Sequence, residues 1–206
     1  MPNMAIGGLS EGWLFRELGD MHWMGICDGL REQSHTIVDS LGNRLYATFV
    51  RFRWESTKHL KDFRENERLH LENSLSRYGG SMYFSECEIT GKQKWARATL
   101  MTTFAMRESD NTSLLKGQPA IPDHTLIEVR QELPAFAIEY RKQRNGTGQS
   151  IELCNEQLTA GGTPLAEIPY RINPYQDFNG VTLLYFASYP SIADICERDF
   201  INSRSD

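Results

Sequence analysis

Apolar positions recur at helical spacing early in the chain. Between Ser10 and about Trp23, the residues Trp13, Leu14, Phe15, Leu18 and Met21, with Met24 just beyond, fall on one broad face. This spacing predicts a helix with a mostly buried face, and Ser10 is a hydroxyl residue placed to cap its N-terminus. The period then changes. A turn signal at Asp39 to Asn43, with Gly42, precedes Arg44 to Trp54, whose aromatic and β-branched residues predict a strand. Leu69 to Tyr78 alternates and passes through Gly79-Gly80 into Met82 to Thr90, which predicts a hairpin. Gly91-Lys92 then leads to a long strand, Trp95 to Arg107, with Leu100, Thr102, Phe104 and Met106 on alternate positions. One helix followed by successive antiparallel strands predicts an α+β fold, not a doubly wound parallel sheet.

The pattern weakens after Arg107. Asn111 to Pro122 predicts a surface connector, followed by short strands near Thr125 to Glu132 and Ala135 to Lys142, and by a polar loop over Arg141 to Ser150. Thr159 to Pro164, around Gly161-Gly162, has the composition of a linker. Tyr170 to Tyr175 reads as a lead-in strand, and Phe178 to Glu197 as a second long helix that Pro190 should bend or divide. In outline, Gly180-Val181-Thr182-Leu183-Leu184-Tyr185-Phe186-Ala187 echoes Gly8-Leu9-Ser10-Glu11-Gly12-Trp13-Leu14-Phe15 at an offset of 180 − 8 = 172 residues. Such an offset suggests two similar units, with a chance likeness of helix starts as the alternative. The corresponding boundaries are a first unit over 1–115, a connector with strands over 116–168 and the start of a second unit over 169–206. Only nine residues follow Glu197, whereas the first unit needs the stretch from Trp23 to Arg107 to build its sheet. The second sheet is therefore expected to be incomplete, and symmetric pairing into a homodimer could supply a missing wall.

Composition narrows the classes of function. The 206 residues carry 22 basic and 27 acidic side chains, a net charge of −5. That balance argues against a nucleic-acid footprint or a cationic membrane surface, and an acidic partner would need a local basic patch. No apolar run approaches the roughly 20 residues of a membrane span. Cys27, Cys87, Cys154 and Cys196 are scattered, without a CxxC pair or a secretory leader. A reduced cytoplasmic setting with buried thiols is the expectation.

Five blocks together resemble a known family. Met1-Pro2-Asn3-Met4, Gly8 to Leu14, Gly19-Asp20-Met21-His22-Trp23, Arg44-Leu45-Tyr46-Ala47-Thr48-Phe49 and Asp177-Phe178-Asn179-Gly180-Val181 look like the leinamycin-type bifunctional acyltransferase/decarboxylases of polyketide biosynthesis. The resemblance implies a hot-dog fold, doubled along the chain, in which an antiparallel sheet wraps a long helix. It also implies chemistry on a malonyl- or methylmalonyl-type thioester, with delivery of the acyl group to an acyl carrier protein. Acyl-coenzyme A or a phosphopantetheine thioester then enters as substrate, and no cofactor is permanently bound. A tyrosine holds the central catalytic role in that family, and the Arg-Leu-Tyr-Ala block assigns it to Tyr46.

The residues themselves leave alternatives open. Arg44 and Thr48 share the face of Tyr46 on a strand, so Arg44 could stabilise a phenolate, while a phenol that only orients a carboxylate or donates to an enolate needs no such help. The alternative is a half-buried strand tyrosine satisfied by solvent. Asn111, Thr112 and Ser113 could bind a thioester carbonyl or pantetheine amide, or simply form a turn. Ser10 and Glu11 start a helix whose free amides could polarise a carbonyl. His22 is a candidate general acid or base, or a packing histidine; Asp20, two residues away, points elsewhere on a helix. His35, His59, His70 and His124 show no metal-binding spacing, and no GxSxG elbow, phosphate loop or dinucleotide fingerprint is present. Lys58, His59, Lys61 and Arg64 form a loose basic group that could meet an acidic carrier domain or simply be solvated. Three classes follow: an acyltransferase/decarboxylase, a hot-dog thioesterase or dehydratase using His22, Glu11 or Asp177 as base, and an inactive carrier-binding module.

Overall fold

The computed structural model describes residues 3–109, 113–146, 150–153, 156–159, 164 and 166–204, with the segments 150–153 and 156–159 described by backbone alone. Asn111, Thr112, Cys154 and Gly161-Gly162 lie outside the described residues. A short hairpin of β1 (Met4–Ala5) and β2 (Gly8–Leu9) leads into α1 (Glu11–Leu30). Ser10 caps α1 as predicted, its Oγ accepting from the Trp13 N–H at 3.3 Å.

The helix runs on past Trp23 to Leu30, because Leu14, Leu18, His22, Ile26 and Leu30 continue one buried stripe in four-residue steps. Gly29 sits within the helix for close approach: a Cβ on it would lie 2.3 Å from the Ile127 side chain. Arg31, left-handed at φ 57°, ends the helix and donates to the carbonyls of Cys27 and Asp28.

The main sheet contains β3 (Tyr46–Ser56), β4 (His70–Tyr78), β5 (Met82–Gly91), β6 (Lys94–Arg107), β7 (Leu114–Gly117) and β8 (Glu128–Val129). Its order is β3-β6-β5-β4-β8, with β7 pairing the end of β6. All neighbours are antiparallel except β8, which lies parallel to β4. The β4–β5 hairpin turns at Gly79-Gly80 as the sequence predicts, with Tyr78 opposite Met82. Leu100, Thr102 and Phe104 are essentially inaccessible on the face toward α1.

In β3 the register slips between Phe49 and Arg51. This bulge at Val50 keeps Ala47 and Phe49 on the helix side together with Phe52 and Trp54, which would otherwise alternate out of phase. A long antiparallel sheet wrapped around one helix is the hot-dog fold, in the α+β class expected.

Several expectations are corrected. Ala135 to Lys142 is not a strand but the helix α2 (Ala135–Arg144), which lies across the outer face of the sheet with Phe136 and Ala137 packed on Phe84 and Met101. The run Ala-Phe-Ala-Ile alternates too briefly to tell strand from helix, and covering the outer face decides the matter. Arg51 and Arg53 both reach Glu139 of α2 and pin it there. The strand near Thr125 shrinks to β8, and the connector contains β7. A separate hairpin, β9 (Ser150–Leu153) and β10 (Glu156–Thr159), follows.

The C-terminal segment departs furthest from expectation. Tyr170 to Tyr175 is no strand; α3 (Pro174–Asp177) begins within it, capped by the Asn173 side chain. Phe178 and Leu184 close a loop by an isolated bridge, a short 3-10 turn covers Phe186–Ser188, and α4 spans Tyr189–Asn202. Pro190 sits in the first turn of α4, where its missing N–H costs nothing, so it neither bends nor divides the helix. Thr182 adopts a left-handed turn at φ 60° and caps no helix, so the sequence echo of Ser10 is not an echo in structure. Residues 169–204 contribute no strand of a second sheet among the described residues.

Candidate active site

The C-terminal loop folds over the β3 edge and meets the N-terminal half of α1, enclosing a cleft of about 470 Å³. Arg16, Gly19, Asp20 and Trp23 line it from α1, Arg44 to Ala47 and Phe49 from the start of β3, and Tyr175, Gln176, Phe178 to Val181 and Tyr185 from the loop. Phe186 anchors the loop by stacking on Phe49, and the Arg16 guanidinium donates to the Gln176 carbonyl at 3.2 Å.

Asp177, 5% exposed, holds the loop from beneath: its Oδ2 accepts from the Tyr170 hydroxyl at 3.1 Å and the Asn173 N–H at 2.7 Å. This carboxylate is committed to loop structure and does not line the cleft.

Tyr46 stands in the cleft wall, half-buried. Its ring has the Arg44 guanidinium carbon 5.2 Å and the Arg107 guanidinium carbon 4.7 Å from its centroid. The sequence brings Arg44 to Tyr46 by proximity on the strand, but Arg107 escapes it. Arg107 ends β6, two residues beyond Ala105, the register partner of Tyr46, and it also donates to the Val181 carbonyl. Arg16 and Arg44 line the cleft, and Arg107 stands against the Tyr46 ring beside them, so basic side chains gather at this site in a chain of net charge −5. Among the described residues, Asp20 is the one acidic side chain in the lining. Tyr185, also in the wall, has its hydroxyl pushed up to about 12 by burial and by the Asp20 charge, so it is a neutral donor at physiological pH.

The other candidate residues do not join this cleft. His22 is fully buried between α1 and the sheet, with Nδ1 2.7 Å from the Ser85 hydroxyl and Nε2 2.8 Å from the Thr102 hydroxyl. Burial lowers its pKa to about 3, and both nitrogens are occupied. The catalytic expectation for His22 is therefore corrected to the packing one. Ser10 serves α1 as its cap and does not line the cleft. Ser113 closes a turn, its Oγ donating to Glu108 at 2.6 Å, while its neighbours Asn111 and Thr112 lie outside the described residues. Glu11, raised by the protein around it and by the Asp194 charge, sits at the first turn of α1 away from the lining.

The thiols of Cys27 and Cys87 are pushed up to about 11 by burial, with Asp28 adding to the shift at Cys27, which leaves both poor nucleophiles. Among the described residues no cluster of His, Cys, Asp or Glu could hold a metal ion, and no helix is long and apolar enough to cross a membrane.

What sequence reasoning missed is the set on the loop and on β6: Asn179, Tyr185 and Arg107. The Asp177-to-Val181 block was visible as a motif, but nothing in its spacing says that it folds back onto β3.

No protein-family model and no curated protein sequence matches this chain. Among solved structures, the chain is similar to the PA5185 protein of Pseudomonas aeruginosa strain PAO1, at 14% identity over 59% of this chain and 77% of that one, with a TM-score of 0.41. It is also similar to Slr0204, a 1,4-dihydroxy-2-naphthoyl-CoA thioesterase from Synechocystis, at 11% identity over 58% of this chain and 82% of that one, with a TM-score of 0.44.

Proposed function

We propose that this protein acts, in the cleft at the β3 edge, on a short carboxylated acyl thioester of malonyl or methylmalonyl type, carried on coenzyme A or a phosphopantetheine arm. The observation that carries this reading is the Tyr46 ring flanked by Arg44 and Arg107 at 5.2 and 4.7 Å. Two guanidiniums beside a phenol suit a substrate that brings a carboxylate and develops enolate charge. A cleft of about 470 Å³ suits the acyl group with part of the pantetheine arm, the nucleotide remaining outside.

In the decarboxylation step the bond from Cα to the carboxylate breaks, carbon dioxide leaves and the electron pair moves to the thioester oxygen. The Tyr46 hydroxyl orients the carboxylate or donates to that oxygen, and Cα then takes a proton from solvent. For transfer, the Tyr46 oxygen, giving up its proton, attacks the propionyl carbonyl and the coenzyme A thiol leaves. The thiol of an acyl carrier protein then takes the acyl group and the phenol is restored.

The test is incubation with methylmalonyl-coenzyme A and a carrier protein, read by carbon dioxide release and mass spectrometry. Tyr46→Phe should keep the fold, because the ring still packs, and lose at least about tenfold in turnover, on the order of 1.4 kcal/mol in barrier. A propionyl-type mass increment on wild-type Tyr46 supports the covalent route. Wild-type turnover in the Phe variant with unchanged thermal unfolding would leave Tyr46 a structural residue.

Thioester hydrolysis is the second reading, favoured by Asp20 in the cleft lining as a base for water. Free acid without carbon dioxide release would establish it.

A further inference from the structure

The Asn179 side chain is fixed in one orientation by the loop that carries it. Its Oδ1 accepts from the Val181 N–H at 3.1 Å and from the Leu183 N–H at 3.0 Å, while its own backbone N–H donates to the Leu183 carbonyl at 2.9 Å. Only an oxygen can accept two backbone donors, so the amide nitrogen is turned to the opposite side. Asn179 lines the cleft, and Nδ2 makes no hydrogen bond with any described residue. A donor held rigid by two bonds on its other end, on a half-buried residue that lines a cleft, has no reorganisation to undergo when charge develops in front of it.

We propose that the Asn179 Nδ2 group is the donor that receives the thioester oxygen and stabilises the enolate as the carboxylate leaves. This rests on the reading of the cleft as a thioester site and assigns to Asn179 the task that Asn111, Thr112 and Ser113 were expected to share. Tyr46 and its guanidiniums are then left to the carboxylate end of the substrate. Asn179 is a catalytic residue in this arrangement, because its amide touches the oxygen on which charge accumulates.

Asn179→Asp separates the two roles of the side chain. The aspartate retains an acceptor for Val181 and Leu183 and removes the donor, so the thermal midpoint should hold while kcat falls by at least about a hundredfold with KM changed less than about threefold. Wild-type kcat in a folded Asp variant overturns the proposal.

A measurement on the wild-type protein avoids both the added charge and any failure to fold. The Asn179 side-chain amide resonance should move on titration with propionyl-coenzyme A and stay in place with the S-propyl thioether of coenzyme A, which has no carbonyl. If backbone resonances of Ala47 and Val181 respond to propionyl-coenzyme A while the Asn179 amide does not, the assignment of Asn179 falls and the thioester reading stands. If neither ligand moves any cleft resonance and wild-type protein turns over no methylmalonyl-coenzyme A, both fall.

Discussion

Phe186 stacks on Phe49 with ring centroids 3.9 Å apart and planes 19° from parallel, joining the C-terminal loop to the edge strand of the sheet. The same ring fills the space in front of Gly19 of α1: a Cβ there would lie 2.5 Å from the Phe186 ring. One aromatic side chain thus ties together the three parts of the cleft. Gly19→Ala gains about 1 kcal/mol in helix propensity and displaces Phe186. The expected outcome is a thermal midpoint near wild type with weakened thioester binding, checked by calorimetric unfolding and titration. Phe186→Ala should cost about 2–3 kcal/mol in chemical denaturation, less than a fully buried Phe, and loosen the loop.

The His22 ring gives the fold a pH dependence whose sign is fixed. Its folded pKa of about 3 lies below the ordinary histidine value of 6.5, so the unfolded chain takes up a proton first. Stability contributed by neutral His22 is complete above about pH 6.5 and declines as pH falls toward about 3. At about pH 4.5 the loss is on the order of 3 kcal/mol. Urea titrations at stepped pH should show this slope, and His22→Gln should flatten it by about one proton while retaining hydroxyl partners. An unchanged slope in the Gln variant would assign the acid sensitivity to other groups.

Arg107 connects Tyr46 to the loop by its contact with the ring and its hydrogen bond to the Val181 carbonyl. Arg107→Gln keeps a donor but shortens the reach and removes the charge. Hydrogen exchange over Val181 to Tyr185 is expected to accelerate, and kcat/KM on methylmalonyl-coenzyme A to fall about tenfold or more, on the order of 1.4 kcal/mol. Exchange and turnover at wild-type levels would show that Arg107 is not needed to secure the loop.

Asp20 separates decarboxylation from hydrolysis. If Asp20 activates water, Asp20→Asn should lose about a hundredfold or more in free-acid formation. If decarboxylation is the reaction, the same variant keeps carbon dioxide release within a few fold of wild type, since no proton need be removed from water. Product analysis of the variant on one thioester decides between the two.

Short-range pattern made much of this protein legible from its residues. The Ser10 cap, the buried face of α1, the β4–β5 hairpin and the alternation of Leu100, Thr102 and Phe104 all follow from rules acting over a few neighbouring residues. The bulge in β3 was not legible in this way: Arg44 to Trp54 reads as one strand, and it takes the sheet to show that Val50 is the extra residue. The Arg44–Tyr46 pairing was within reach, two positions apart on one strand. Tertiary structure decided the rest. Ala135–Arg144 became a helix because the outer face of the sheet needed cover, and its short alternating run satisfied either period. His22 became a core residue because Ser85 and Thr102, 63 and 80 residues away, meet its two nitrogens. The cleft exists because a loop 74 residues beyond Arg107 folds back to it and because Phe186 finds Phe49. Periodicity records which face of an element is buried; it carries no record of which distant segment buries it, and every wall of this cleft is a contact of that second kind.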